Sequence, residues 1–370
     1  MIDARSDIVG SLLRPQELLE AQRLYAGGEL TKPEFKRIED TAVEWAIALQ
    51  QEAGMDVVTD GEMRRMSFQS QLAAAVEGFS EWDIDAFLWG QWRSDELEDM
   101  NVERPPIAVL EPLKRKHFLS VEEFVYARGH TDRALKVTLP SPSLFANFWD
   151  PERSADAYSS PQDFLGDIAT ILREEVDELV RLGATYIQLD APQYPLLVDP
   201  TYREFYERRG WAAEKWLDFG LELDNLVIGT HPGVTFSFHL CRGNQASRWL
   251  VEGGYDWLAE KLFPRINASR LMLEYDDARS GTFDPLRAVP DDKTVVLGLV
   301  TTKTARRETV EELTARIREA SAFVPLQRLA LSPQCGFATS VVGNSISIDV
   351  ERDKLRTISN TAREVWGGPL

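Results

Sequence analysis

Apolar residues along this chain recur with two alternating periods. Stretches with an apolar position every three or four residues are followed by a break and a short β-rich run ending in polar residues. Residues 41–54 (TAVEWAIALQQEAG) predict a helix stopped by Gly54, and Asp56-Val57-Val58-Thr59-Asp60 then reads as a buried strand with a polar end. Residues 160–182 place Phe164, Ile168, Ile171, Leu172, Val176, Leu179 and Val180 on one helical face. Gly183 and the strand Tyr186-Ile187-Gln188-Leu189-Asp190 follow. Residues 309–320 repeat the pattern, with Val310, Leu313 and Ile317 on one face before a strand at 328–332.

Eight strands are predicted this way, at residues 8–10, 57–59, 135–139, 186–189, 236–240, 271–275, 294–300 and 329–332. Helical or long connecting sequence separates most of them, which is the pattern of parallel strands with crossover helices. The expected fold class is α/β, a single-domain (β/α)8 TIM barrel covering residues 1–370. A doubly wound open sheet is the competing arrangement, but no G-x-G-x-x-G or P-loop sequence follows any of the strands. Residues 77–106 do not fit the alternation. They hold Trp82, Trp89 and Trp92 among acidic residues and end in a Pro-Pro pair. This segment is expected to be an insertion between the second and third strands, either a lid or oligomer contact or a surface hairpin whose tryptophans pack on the barrel.

Composition changes this picture only at its edges. A chain of 370 residues suits two or three average domains, and one barrel of about 250 residues with insertions fits equally well. The formal charge is −19, from 41 Lys+Arg against 60 Asp+Glu, so nucleic acid and anionic membrane surfaces are poor partners. No apolar run approaches the roughly 18–20 residues that span a bilayer. The first residues show no basic segment leading into a long apolar one, so a secretory signal is not expected. The two cysteines, Cys241 and Cys335, cannot build a disulfide framework, and a reducing, cytoplasmic location is expected.

Chemistry in such a fold sits at the carboxyl ends of the strands. His239-Leu240-Cys241 puts an imidazole and a thiol at i and i+2 of one strand, on the same side and roughly 6–7 Å apart. Glu274 ends the next strand, and Cys335 follows the eighth. A lone buried Cys is usually a small hydrophobe, and a lone His a hydrogen-bonded core residue. Together, His239, Cys241, Glu274 and Cys335 form an N/S/O set suited to zinc. Two thiolates and one carboxylate leave Zn²⁺ at a net charge of about −1, which is poor for Lewis-acid hydrolysis and good for holding a substrate thiol as thiolate.

The runs Phe238-His239-Leu240-Cys241-Arg242-Gly243-Asn244, Leu273-Glu274-Tyr275 and Ser332-Pro333-Gln334-Cys335-Gly336-Phe337 resemble the cobalamin-independent methionine synthase family. Val9-Gly10-Ser11, Thr59-Asp60-Gly61-Glu62 and Ile187-Gln188-Leu189-Asp190 extend the resemblance, which runs from about Val9 to Thr339. It implies zinc at His239, Cys241, Glu274 and Cys335. It also implies that Ser11, Glu62 and Asp190 hold the amino-acid part of homocysteine, while a methyltetrahydrofolate donates the methyl group. Two carboxylates facing a primary ammonium agree with that role, although Glu62 could instead pair with Arg64 or Arg65.

Four features depart from the family pattern. Full-length members carry a second, amino-terminal barrel that helps bind the folate, and nothing here corresponds to it. Ala191 stands where an acid is expected after Asp190. Thr301-Thr302-Lys303 replaces a D-I-H segment, leaving Lys303 as a proton donor or anion holder in place of its histidine. A folate-stacking tryptophan is not evident around Leu139-Pro140-Ser141-Pro142-Ser143. The methyl donor is therefore left open between folate, a methylated corrinoid protein and another small carrier. Epoxyalkane:coenzyme M transferases, single-barrel relatives, supply an alternative substrate, whose sulfonate would call on Arg14, Arg64, Arg65, Arg242 or Lys303. A third alternative is an inactive barrel acting as a binding or delivery partner.

Overall fold

The computed structural model describes residues 2–80, 89–103, 107–208 and 210–367. Trp82 and the Pro-Pro pair lie outside the described residues. Seven parallel strands form the main sheet. They are β1 (Val57–Val58), β6 (Ala134–Pro140), β7 (Tyr186–Asp190), β8 (Thr235–Leu240), β9 (Arg270–Glu274), β10 (Thr294–Val300) and β11 (Leu329–Pro333), hydrogen-bonded in that order. They are buried on both faces, but most alternate apolar residues such as Val137, Leu189, Phe238 and Leu273 with polar ones such as Lys136, Gln188, His239 and Glu274. Helices cover the outside, among them Pro161–Arg181 between β6 and β7, Val310–Ala320 between β10 and β11, and Ile348–Trp366 after β11. The last of these packs beside Lys32–Ala53.

The sheet curls until its two edges come within reach of one short segment. Asp7 N donates to Leu331 O and Leu331 N to Arg5 O, at 2.9 and 2.8 Å, while Val57 N donates to Ser6 O at 3.3 Å. The first ladder contacts therefore fall at residues 5–7, not at the apolar 8–10 expected from sequence. The polar residues there are tolerated because they are paired. Asp7, fully buried, accepts from Lys136 Nζ at 2.9 Å, Tyr186 OH at 2.6 Å and Arg270 Nη2 at 3.3 Å. One residue pair further along, Val9, Met272, Val296 and Ala330 form an apolar layer. Two residues further again come Ser11, Asp190, Cys241 and Glu274. Alternation by two thus stacks an ionic base, an apolar middle and a polar rim along the strands.

Helix boundaries follow capping chemistry more closely than periodicity. The helix expected from residue 41 begins at Lys32, because Thr31 and Glu34 form a capping box with Thr31 N donating to Glu34 Oε2 at 2.9 Å. Its first turns carry few apolar residues, so the periodic signal starts late. Its end agrees with expectation, with Gly54 at φ 84° closing it in the left-handed conformation.

Among the described residues, two small antiparallel pairs lie between β1 and β6: β2 (Val76–Phe79) with β5 (Val109–Arg115), and β3 (Gly90–Trp92) with β4 (Met100–Val102). The second pair is tied to the loop after β8 by reciprocal backbone bonds between Arg93 and Trp249, both at 2.8–2.9 Å.

Candidate metal and substrate site

Strand register assembles the site. Asp190 at the end of β7 pairs directly with His239 in β8. The result is a 2.8 Å hydrogen bond from His239 Nδ1–H to Asp190 Oδ1, which also accepts from Gln188 Nε2 at 2.8 Å. Holding Nδ1 in this way fixes the ring and presents Nε2, the usual second-shell arrangement behind a metal-bound imidazole. Burial alone would lower the His239 pKa, but the Asp190 hydrogen bond turns the net shift upward.

The donor atoms of His239, Cys241 and Cys335 all lie within 4.8 Å of one another, and all three residues are buried. A tetrahedral ion with 2.3 Å Zn–S bonds needs donor spacings of about 3.8 Å, so only small side-chain adjustments separate this cluster from a ligand set. The two thiols are hydrogen-bonded to each other. Accepting a hydrogen bond from the Cys335 thiol lowers the Cys241 pKa to about 7, and donating it raises that of Cys335.

Glu274 stands beside this cluster but not within that group of three. Its Oε1 accepts from Lys303 Nζ at 3.1 Å, and its Oε2 from the Arg242 backbone N at 2.6 Å. Burial would raise its pKa, yet Lys303 and Arg242 hold it below the ordinary carboxylate range. Lys303 is itself buried, 3.8 Å from Asp276 Oδ2, and does not line the cleft.

A cleft of about 890 Å³, counted to its open mouth, runs from the thiols past Ser11, Glu62 and Asp190. Glu62 sits at φ 56° in the turn after β1, a left-handed conformation that costs energy outside glycine and is typical of functional turns. Its Oε1 accepts from Thr138 Oγ1 at 2.7 Å and lies 3.4 Å from Arg65 Nη1, so the ion pair considered from sequence forms with Arg65. Arg64 pairs with Asp40 instead. Glu62 Oε2 is buried with no hydrogen-bond partner. Burial raises the Glu62 pKa against the pull of Arg65. The site thus gathers Ser11, Glu62, Asp190, His239, Cys241 and Cys335 along one cleft.

Sequence reasoning missed Asn244, Asn147 and Gln193, which also line it. Asn244 Nδ2 donates to Gly336 O at 2.7 Å and Asn344 Nδ2 to Thr302 O at 2.8 Å, stitching together the loops after β8, β10 and β11. Only the position of Asn244 beside Cys241 could have flagged it.

A buried imidazole and two thiols at the carboxyl rim of a curled parallel sheet define an α/β protein with a metal-type donor set. Comparison with known proteins makes the assignment more specific. The profile of the cobalamin-independent synthase catalytic domain matches residues 6–350, and the chain belongs to that family. It is 32% identical over 365 residues to the uncharacterised protein YxjH of Bacillus subtilis, spanning 98% of this chain and 94% of YxjH. It is 26% identical over 332 residues to a methionine synthase of Pyrococcus abyssi, spanning 90% and 85%. Among solved structures, a Listeria monocytogenes protein ascribed to the vitamin-B12-independent methionine synthases superimposes with TM-score 0.71 at 26% identity, covering 98% of both chains. A B12-independent methionine synthase from Shewanella sp. W3-18-1 shares the fold, with TM-score 0.73 at 23% identity. The corrinoid-protein donor considered from sequence finds no support, since the family is described as cobalamin-independent. No helix among the described residues is long and apolar enough to cross a membrane.

Proposed function

We propose that this protein is a zinc-dependent thiol methyltransferase whose acceptor is homocysteine. The observation that carries the reading is the convergence of His239, Cys241 and Cys335 at the base of the cleft, with Asp190 behind the imidazole. We assign these three as zinc ligands. Glu274, tied to Lys303 and the Arg242 amide, is the carboxylate available to complete the set and the weakest of the four. Bound zinc would supply one thing, stabilisation of the acceptor sulfur as a thiolate near neutral pH.

The protein's own residues do the rest. Glu62 Oε2, buried and unpartnered, is placed to accept from the acceptor's ammonium, with Asp190 and Ser11 along the same wall. Positioning of this kind supplies much of the rate in transfer reactions. Lys303, engaged by Glu274 and Asp276, acts here by holding Glu274 in place. We read the curled sheet, completed by residues 5–7, as a closed (β/α)8 barrel, and 77–106 as an insertion whose described part covers the cleft. Two thiols that must stay reduced suit a cytoplasmic location.

The cleft favours homocysteine over a sulfonate thiol such as coenzyme M. Among the described residues no Lys or Arg lines it. Arg14 donates to the carbonyls of Leu12, Glu62, Arg65 and Ala338, and Arg242 to those of Gly253 and Glu274. The proposal is tested by metal analysis of the wild type, Cys241→Ala and Cys335→Ala, together with methionine formation from homocysteine. Stoichiometric zinc that falls in both variants supports it. A wild type without stoichiometric zinc after reconstitution overturns it.

A further inference from the structure

Glu274 ends β9 and Asp276 follows two residues on, so the period of two sends both carboxylates to one side. Tyr275 between them packs on Tyr255 and Phe283, with ring centroids 5.5 and 4.7 Å away. Lys303, from the loop after β10, puts its ammonium between the two acids. Its Nζ donates to Glu274 Oε1 at 3.1 Å and stands 3.8 Å from Asp276 Oδ2. All three side chains are buried, and neither Asp276 oxygen makes a hydrogen bond of ordinary length, with the Thr301 hydroxyl its polar neighbour. The other cations close by are engaged. Arg242 lies 4.0 Å from Glu274 Oε2, but its guanidinium donates to the carbonyls of Gly253, Glu274 and Ser280. Arg279 pairs with Asp95 and Asp277, and Lys354 pairs with Glu308. One ammonium therefore serves two buried carboxylates. A movement of about 1 Å would bring it to Asp276 at the usual length of a charged hydrogen bond, about 2.7–2.9 Å.

We propose that Lys303 is a positioning residue that competes with the metal for Glu274 and uses Asp276 as its second seat. This rests on the zinc reading above and adds a control on the fourth ligand. A lysine ammonium has donors but no lone pair, so where the resemblance expects a histidine Lys303 supplies charge and cannot ligate. While Glu274 ligates, a second cation on the same carboxylate is repelled, and Lys303 rests on Asp276. When the acceptor sulfur arrives as thiolate, its thiol proton lost to solvent, Glu274 leaves the donor set and Lys303 returns to it. One negative charge enters as another is withdrawn and neutralised, so the charge at the donor set is unchanged. Without the ammonium, a displaced Glu274 would be left as an uncompensated buried charge, which is strongly unfavourable.

A double-mutant cycle tests this. Zinc affinity is read by competition with a chelator, and homocysteine affinity by the sulfur-to-metal band of the cobalt(II)-substituted protein. Lys303→Met should bind zinc about tenfold more tightly and homocysteine about tenfold more weakly, a size ordinary for coupled neighbours. A purely structural loss would weaken both. Asp276→Asn, the milder change, should lower zinc affinity several-fold and leave homocysteine binding no weaker. In a Glu274→Gln background, each substitution should change either affinity by less than about twofold, because Lys303 acts through that carboxylate. Weaker zinc binding by folded Lys303→Met, or effects that persist at full size in Glu274→Gln, overturns the proposal. Should Lys303→Met not fold, Asp276→Asn with and without Glu274→Gln decides it by the same criterion. A wild type that takes up no zinc overturns the zinc reading and this one together. Zinc uptake without homocysteine binding refutes the acceptor alone, and the zinc half of the cycle still decides the role of Lys303.

Discussion

Removing the carboxylate behind His239 should weaken metal binding by an amount set by two opposing effects. The 2.8 Å Nδ1–H···Oδ1 bond is buried, and a hydrogen bond to a charged group is worth about 1.5–3 kcal/mol. Its loss frees the imidazole to rotate and lowers its basicity towards a metal. Against this, Asp190 also favours the protonated ring, so its removal relieves competition from protons. Partners of this kind typically change metal affinity by about 10–100-fold. Asp190→Asn keeps an oxygen able to accept from Nδ1 but loses the charge, and we expect a drop of about tenfold. Asp190→Ala loses both and should approach about 100-fold, or about 2.7 kcal/mol. Zinc affinity is read by competition with a chromogenic chelator at pH 8, where proton competition is small, on variants checked for native melting. Glu62→Gln, outside the donor set, serves as the control and should leave zinc affinity unchanged while weakening homocysteine. A folded Asp190→Ala protein with wild-type zinc affinity would refute the orienting role.

Three further outcomes follow from groups away from the donor set. In Gly10→Ala the added Cβ would lie 2.6 Å from Glu62 Oε1, so the carboxylate must shift, and homocysteine affinity should fall several-fold in direct titration. Asp7→Ala strands the buried ammonium of Lys136 and the guanidinium of Arg270, and should cost about 3–5 kcal/mol in urea denaturation. Burial pushes Glu351 up to about 8 from an ordinary 4.5, even though it accepts from Leu13 N at 3.0 Å. The folded state therefore holds this proton more tightly than the unfolded chain. The stabilising contribution is complete below pH 4.5 and is lost as pH rises through about 8, so Glu351→Gln should flatten that decline in melting temperature between pH 5 and 9.

Much of the rim was legible because strand chemistry is local. His-x-Cys needs only a period of two to put both side chains on one face, and Cys335 follows a β-rich run closed by Pro333. Helix stops at Gly54 and Gly183 were equally local. What could not be read depends on register and on competing partners. That Asp190 would meet His239 follows from the pairing of β7 with β8, which no spacing reveals. Nor does sequence show that Lys303, from the loop after β10, reaches across to occupy the Glu274 carboxylate. Residues 5–7 escaped notice as a ladder segment because their charges are satisfied by Lys136, Tyr186 and Arg270 from other strands. The tryptophans at 89 and 92 stood out by composition, but the close seat of Trp92 depends on Gly243, where a Cβ would lie 2.9 Å from its ring.

The central claim is that His239, Cys241 and Cys335 hold zinc together. X-ray absorption at the zinc edge of the reconstituted protein measures it directly. The account predicts two sulfur scatterers at about 2.3 Å with nitrogen or oxygen at about 2.0–2.1 Å, and a third sulfur when homocysteine is added. A shell of nitrogen and oxygen alone, or a two-sulfur shell that survives Cys335→Ala unchanged, would contradict it.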